Sequence, residues 1–126
     1  MLDNEPTTHS IEFLNPVFND GLNVTVRDGS KWANRVRLGD HLMPTRPGET
    51  PPHDAQNRVV GVFYCSLDDL PAAILRHEHD PTCRTKAGLA AELDRIYGPT
   101  GYGHRMVTAI VWTRDTRFGG GPWGSD

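Results

Sequence analysis

The stretch Asn23-Val24-Thr25-Val26-Arg27-Asp28 alternates apolar and polar side chains. Successive side chains of a strand point to opposite faces, so this period of two predicts a half-buried β-strand. Val24 and Val26 would face the core. The polar residues between them would share the opposite face and line a cleft. Asp28-Gly29 then predicts a turn.

Short elements surround this strand. Further strands are predicted over residues 11–14, 35–38 with a continuation at 41–43, 59–65 and 105–113. Residues 59–65 are apolar almost throughout, which is typical of a central strand. Ser66-Leu67-Asp68-Asp69 has the form of a capping box and predicts the start of a first helix, with its apolar stripe over residues 70–77. A second helix is predicted over residues 85–97.

The length of 126 residues suits one domain, and 10 Pro with 13 Gly favour short elements joined by many turns. We expect a flexible N-terminal arm over residues 1–10, the folded domain over residues 11–115, and a disordered Gly-rich tail over residues 116–126. Neither an internal repeat nor a second domain is predicted.

The compartment predicted from the sequence is the cytoplasm. No run approaches the ~18 apolar residues that a membrane span needs. The acidic start also lacks the basic and apolar regions of a signal peptide. We therefore expect no membrane association. The two cysteines, Cys65 and Cys83, are expected to be unpaired thiols, because nothing in the sequence indicates export.

The net charge is −3, which argues against a strongly basic nucleic-acid binder. However, residues 27–46 hold five Lys or Arg and two Asp, a local balance of +3. Such a patch on an anionic body favours local capture of a phosphate or of an anionic partner. A solvated edge of the sheet, where basic residues block aggregation, explains the same pattern. Both interpretations stay open.

Three blocks share a pattern with a known family, in the same order. The blocks are Asn23-Val24-Thr25-Val26-Arg27-Asp28 with Leu38-Gly39-Asp40-His41-Leu42, then residues 59–65 with Ser66-Leu67-Asp68-Asp69-Leu70, and last Leu93-Asp94-Arg95-Ile96-Tyr97-Gly98 before the closing strand. Over residues 11–113 the chain thereby resembles the ASCH domains of the PUA-like superfamily, closest in pattern to the small bacterial acetylcytidine amidohydrolases. The resemblance implies an α+β fold, a small PUA-like (ASCH) β-barrel with two or three packed helices.

The resemblance also implies catalytic residues. In these amidohydrolases a Lys lies three residues before the strand Thr and helps to activate its hydroxyl, while a Glu after the long strand handles protons. The Thr corresponds to Thr25 and the Glu to Glu78, but Leu22 stands at the Lys position. A Leu side chain cannot take a proton or lower the pKa of a hydroxyl. Lys31, in the loop after the strand, would have to substitute.

A nucleotide-binding site is predicted beside the same strand. Its residues are Asn23, Thr25, Arg27, Asp28, Lys31 and Trp32. The planar donor fork of Arg27 suits a phosphate, and bases stack on rings such as that of Trp32. The alternatives are that Thr25 only packs, that Arg27 pairs with an Asp at the surface, and that Trp32 covers the core.

The segment from His77 to Cys83 is rich in metal-ligand types, but we predict no metal there and no cofactor. His77 and His79 are two residues apart, so on a helix they would point ~200° apart. A second ligand pair at zinc spacing is also missing from the sequence.

Three hypotheses follow from these observations. The first is a binding module that holds RNA or a modified nucleoside in the cleft. The second is an enzyme, an amidohydrolase that acts on an acylated nucleoside through Thr25 and Glu78. The third is a mobile-element protein that keeps the fold but binds a host protein.

Overall fold

The computed structural model describes residues 6–13, 17–19, 21–45, 57–99 and 105–114. These residues form an α+β fold, in which one five-stranded sheet has the order β1-β3-β4-β5-β2. The elements are β1 (Thr8–Glu12), β2 (Gly21–Asp28), β3 (His41–Thr45), β4 (Asn57–Ser66), α1 (Ala72–Leu75), α2 (Lys86–Tyr97) and β5 (Met106–Arg114), with 3-10 turns at Leu67–Asp69 and Pro81–Cys83. β1 pairs with β3 in parallel, and the other pairs are antiparallel.

β5 separates two apolar clusters. Val107, Ala109 and Val111 point toward α2, into a first cluster that also takes Val24 and Val26 of β2. The alternate side chains of β5, Ile110 and Trp112, point to the other face and pack into a second cluster with β1 and β3. The second cluster holds Ile11, Phe13, Val36, Leu42, Val59, Ile110 and Trp112. Both faces of β5 are therefore buried.

The sheet is strongly curled, although it is not closed. Within the described ranges its hydrogen-bonded ladder ends at β1 on one side and at β2 on the other, so these strands form an open sheet where a barrel was expected. The two edge strands are in contact at one point, where Arg27 Nη2 of β2 donates to the main-chain carbonyl oxygen of Glu12 in β1 at 2.6 Å. The segment around Glu78 lies against β2: Val24 N donates to the carbonyl oxygen of His77, and His79 N to that of Val24.

Several predicted elements agree with the structure. The alternating stretch lies in β2, and residues 59–65 lie in β4, which is third in the order of the sheet but pairs with β3 only at Asn57 and Arg58. The second helix begins after Thr85, whose side chain accepts from Gly88 N at 3.1 Å. It ends at Gly98, whose φ of 92° suits glycine. Both cysteines are free.

Other predicted elements differ. Residues 35–38 form no strand, because Val36 N donates to the carbonyl oxygen of Trp32 in a turn that buries Val36. The first helix is short, since Pro71 has no amide hydrogen and separates the 3-10 turn from α1. β1 begins at Thr8, inside the expected flexible arm. Residues 1–5 and the predicted tail, 116–126, lie outside the described residues.

Among the helices of the described part, none is long and apolar enough to cross a membrane.

Candidate functional site

A cavity of about 90 Å³ opens between β2, α2 and the segment around Glu78. One ordered water needs ~10–15 Å³ on a comparable measure, so the cavity can hold a small organic group. Its wall combines the apolar residues Leu89, Leu93 and Ile96 of α2 with charged side chains from the strands. The cavity therefore lies beside the strand where the sequence predicted a cleft.

Glu78 is the most buried charged residue of the cavity wall, with 1% of its surface exposed. Its Oε2 accepts a hydrogen bond from Val26 N at 2.9 Å, and its Oε1 accepts one from Asp80 N at 2.8 Å. The carboxylate thus joins β2 to the segment that follows α1. Oε2 keeps a further lone pair that can accept from a ligand, whereas Oε1 also lies 3.0 Å from His79 Nδ1.

Arg27 reaches the cavity from β2. Its guanidinium lies over the ring of Phe13, 5.1 Å from the ring centroid, and donates to the carbonyl oxygen of Glu12. Burial lowers the pKa of Arg27, while Tyr97, Glu78 and Glu12 act in the opposite direction. A guanidinium starts from a pKa so high that it stays charged at neutral pH. Arg27 is the one Lys or Arg among the described residues of the cavity wall.

Thr25 lies beneath the wall of the cavity. Its side chain is fully buried, and its hydroxyl accepts a hydrogen bond from Trp112 Nε1 at 3.1 Å. His79 Nδ1 lies 3.4 Å from this hydroxyl and 3.0 Å from Glu78 Oε1. One ring nitrogen carries at most one proton, so Nδ1 cannot donate to Glu78 and accept from Thr25 at once. The prediction that Thr25 lines the cleft is not met.

The rest of the predicted nucleotide-binding set lies away from the cavity wall. Asn23 is buried and bonds the main chain of Asn19 with both ends of its amide. Asp28 Oδ1 accepts from Arg105 Nη1 at 2.6 Å, which occupies it in an ion pair. Lys31 is exposed on the loop after β2.

Trp32 packs against the second apolar cluster and does not reach the cavity. Its ring centroid lies 6.3 Å from that of His9, and the Arg35 guanidinium lies 5.7 Å from it. The structure therefore supports the alternative that Trp32 covers the core. Of the predicted site residues, the cavity brings together Arg27 and Glu78 alone.

Other residues of the cavity wall were not predicted as site residues. They include Glu12, Phe13, Asp80, Glu92 and Tyr97. Tyr97 is the last residue of the predicted second helix, and its place in the apolar periodicity of that helix was the available signal. Glu12 and Phe13 end the first strand, and no local pattern distinguishes them as cavity residues.

Cys83 also lines the cavity but is not suited to nucleophilic attack. Burial, followed by the charges of Glu78 and Asp80, raises the pKa of its thiol to about 12. The thiolate is the reactive form, so at neutral pH this thiol is inert.

In the described part of the chain, no three His, Cys, Asp or Glu side chains come together as a metal site. His79 and Glu78 are in contact, but His77 bonds to β2 through its main chain. That the protein uses no metal and no cofactor stays a prediction.

Comparisons with models of protein families, with curated proteins and with solved structures found no match.

Proposed function

We propose that this protein is an ASCH-like binding module that holds the base of a nucleoside in the cavity beside β2. The supporting observation is the make-up of the cavity wall, where one guanidinium and several carboxylates lie among the rings of Phe13, His79 and Tyr97. A base offers donors and acceptors on its edge and an apolar face for stacking. The proposal takes the ASCH resemblance as its starting point, with the sheet open between β1 and β2 in the described residues.

The charges of the wall favour a nucleoside over a phosphorylated ligand. Four carboxylates, those of Glu12, Glu78, Asp80 and Glu92, line the cavity together with the single guanidinium of Arg27. Repulsion from the carboxylates disfavours a phosphate close to this wall. Carboxylates accept from the exocyclic amino group of a base, and the guanidinium donates to its ring nitrogen or carbonyl oxygen.

Tyr97 is the side chain best placed to stack on a bound base. About half of its surface, 52%, is exposed at the end of α2, and it lines the cavity. Stacking of a base on an aromatic ring is worth ~1–3 kcal/mol. The affinity for a single base should therefore fall measurably without this ring.

The experiment is calorimetric titration of the full chain with cytidine, acetylcytidine, adenosine, uridine and their 5′-phosphates. We expect at least one nucleoside to bind, and its 5′-phosphate to bind more weakly. Tyr97→Ala should weaken binding roughly tenfold or more, whereas Tyr97→Phe keeps the ring and should bind like the parent. Tyr64→Ala, which removes an exposed Tyr of β4 outside the cavity, is the matched control.

RNA is the other ligand that the sequence predicts, and salt dependence separates the two. If RNA binds through the basic residues 27–46, the logarithm of its binding constant should fall by ~0.7 per phosphate contact for each tenfold rise in salt concentration. Binding of a neutral nucleoside should change little between low and moderate salt. No binding of any nucleoside, or tighter binding of single-stranded RNA with a steep salt slope, would contradict the proposal.

An amidohydrolase is the second candidate, and one contact favours it. His79 Nδ1 lies 3.4 Å from the Thr25 hydroxyl and can take its proton, but only while this nitrogen does not donate to Glu78 Oε1, 3.0 Å away. His79 would be the base in place of the missing Lys, because Leu22 packs against the first apolar cluster. Release of acetate and cytidine from acetylcytidine, abolished in both Thr25→Ala and His79→Ala, would establish it. The burial of Thr25 leads us to expect no such turnover.

A further inference from the structure

β4 has one edge that is only partly paired. The strand pairs with β5 from Asn57 to Ser66, but with β3 only at Asn57 and Arg58. Val59 adds main-chain bonds to Gly39 and Asp40 on that side. From residue 60 to residue 66, no main-chain partner on the β3 side occurs among the described residues.

This edge, residues 60–66 of β4, is apolar and carries no Lys or Pro, although a bulge between Val59 and Gly61 lies at its beginning. Val60, Phe63 and Tyr64 are 45%, 46% and 49% exposed. None of residues 59–66 carries a charge. Free edges of monomeric proteins are usually guarded by Lys, Pro or a bulge that blocks pairing with another strand. An open groove runs between this edge and the segment of residues 33–38, where Leu38 is 69% exposed.

We propose that the β4 edge is the interface of a homodimer, in which the same edge of a second copy pairs with it antiparallel. An antiparallel pair of identical strands is related by a two-fold axis, so one edge serves both copies. With the axis at Phe63, Val60 of each copy lies opposite Ser66 of the other. The apolar side chains of the two edges then cover each other.

The charges at the two ends of the edge favour a second copy over an unrelated strand. Arg37 is exposed and lines the groove beside the beginning of the edge. Asp68 is exposed and lies two residues beyond its end. The two-fold axis brings Arg37 of each copy toward Asp68 of the other, so the dimer contains this pairing of opposite charges twice.

The inference is independent of the proposed ligand. β5 lies between β4 and β2, and the cavity wall contains no residue of β4. A dimer can therefore form whether or not the cavity binds a nucleoside.

The first test is sedimentation equilibrium of the full chain over a wide concentration range. We expect a reversible dimer. Phe63→Glu places two carboxylates at the axis and should raise the dissociation constant at least tenfold, because like charges across an interface strongly disfavour association. The control is Val17→Glu, the same apolar-to-acid change at a residue 54% exposed and outside the β4 edge. A chain that stays monomeric, or a dimer indifferent to Phe63→Glu, overturns the proposal.

The second test separates an interface from an effect on folding. Arg37→Asp and Asp68→Arg should each weaken self-association, because each variant brings like charges together twice. An equimolar mixture of the two variants should dimerise again. In the mixed dimer, the new carboxylate at position 37 of one copy meets the new guanidinium at position 68 of the other. The second charge pair is the native one, Arg37 with Asp68. A mixture no more dimeric than the separate variants overturns the proposal.

Discussion

Glu78 is a carboxylate with almost no contact to solvent and with hydrogen bonds mainly to main-chain amides. This anchoring of Val26 N and Asp80 N explains its burial without any ligand. It also means that a loss of function in a Glu78 variant cannot be interpreted without its stability. The role of this residue in the fold has to be measured first.

We expect Glu78→Ala to lower the free energy of unfolding by about 1–3 kcal/mol for each buried amide that it leaves without an acceptor. Glu78→Gln should have an intermediate effect. Its side-chain oxygen can accept from one of the two amides, but its NH₂ group is a donor and faces the other amide without a hydrogen bond. The control is Glu92→Ala in the same cavity wall, whose partner Arg95 is exposed, and which should cost under ~1 kcal/mol. Urea unfolding measures all three. Glu78→Ala as stable as the parent would contradict the anchoring role.

Asp40 holds the start of β1 and the turn before β3 with one carboxylate. Burial acts to raise its pKa, but donation from Thr7 N, His9 Nε2 and Arg37 N outweighs burial, and the pKa lies below the ordinary value of 3.8. The ionised form is therefore favoured in the folded state. Its contribution to stability is complete above the ordinary pKa and is lost as the pH falls through the lower, folded-state value.

Acid unfolding should therefore depend on Asp40. We expect the free energy of unfolding to fall below about pH 4, the range of an unfolded Asp. Asp40→Asn should be less stable at neutral pH and should flatten this acid dependence. Asp69→Asn, an exposed Asp, is the matched control. Parallel pH profiles of Asp40→Asn and the parent would show that other groups govern acid unfolding.

At the scale of elements, the sequence predicted those whose pattern is local. β2, β4 and α2 have clear periodicity, and Thr85 and Gly98 bound α2 by their own conformational preferences. Residues 35–38 alternate as a strand would, yet they form a turn. There Asp40 accepts from Arg37 N, and Val36 turns into the second cluster. The packing of Val36 depends on residues distant in the sequence and leaves no local signal.

The residues of the candidate site were likewise predicted only in part. The sequence predicted a cleft beside β2 with Arg27, whose guanidinium suits a ligand at such a strand, and the resemblance added Glu78. It did not reveal that the polar face of β2 packs inward, since the second cluster that covers Thr25 is built from β1, β3 and Trp112. Alternation alone cannot distinguish a solvated polar face from a buried one with internal hydrogen bonds.

Arg105 connects three elements and was not singled out by any pattern. Its guanidinium donates to Asp28 at the end of β2, to Asp94 on α2 and to the carbonyl oxygen of Gly98, at 2.6, 3.0 and 2.6 Å. The side chain is only 5% exposed. This one residue thereby orients α2 against the edge of the sheet.

Arg105→Lys keeps the charge, but its single nitrogen cannot occupy the positions of both Nη1, which donates to Asp28, and Nη2, which donates to Asp94 and Gly98. We expect a loss of about 1–3 kcal/mol in the free energy of unfolding, the range for a hydrogen bond to a charged group. Arg95→Lys is the control, an exposed pair on the same helix that should change stability by under ~1 kcal/mol. Equal effects of the two substitutions would contradict a special role for Arg105.

At the scale of the whole molecule, the two apolar clusters share their strands. β5 contributes alternate residues to both, and β2 lies beside it, so neither cluster can lose its order without disturbing the same strand. A chain of this size with shared strands should unfold in one cooperative transition.

Val24 and Trp112 test this coupling from opposite faces of the sheet. Val24→Ala removes two methyl groups from the first cluster and should lower the free energy of unfolding by roughly 2 kcal/mol, with an unchanged dependence on urea.

Trp112 lies in the second cluster, and its fluorescence in a Trp123→Phe background reports on that cluster together with Trp32. We expect fluorescence and far-UV circular dichroism to give the same midpoint in the parent, and both midpoints to shift equally in Val24→Ala. Val17→Ala, at a residue 54% exposed and outside the β4 edge, should leave both midpoints in place. If the fluorescence midpoint stayed constant while the dichroism midpoint moved, the clusters would unfold independently and β5 would not couple them.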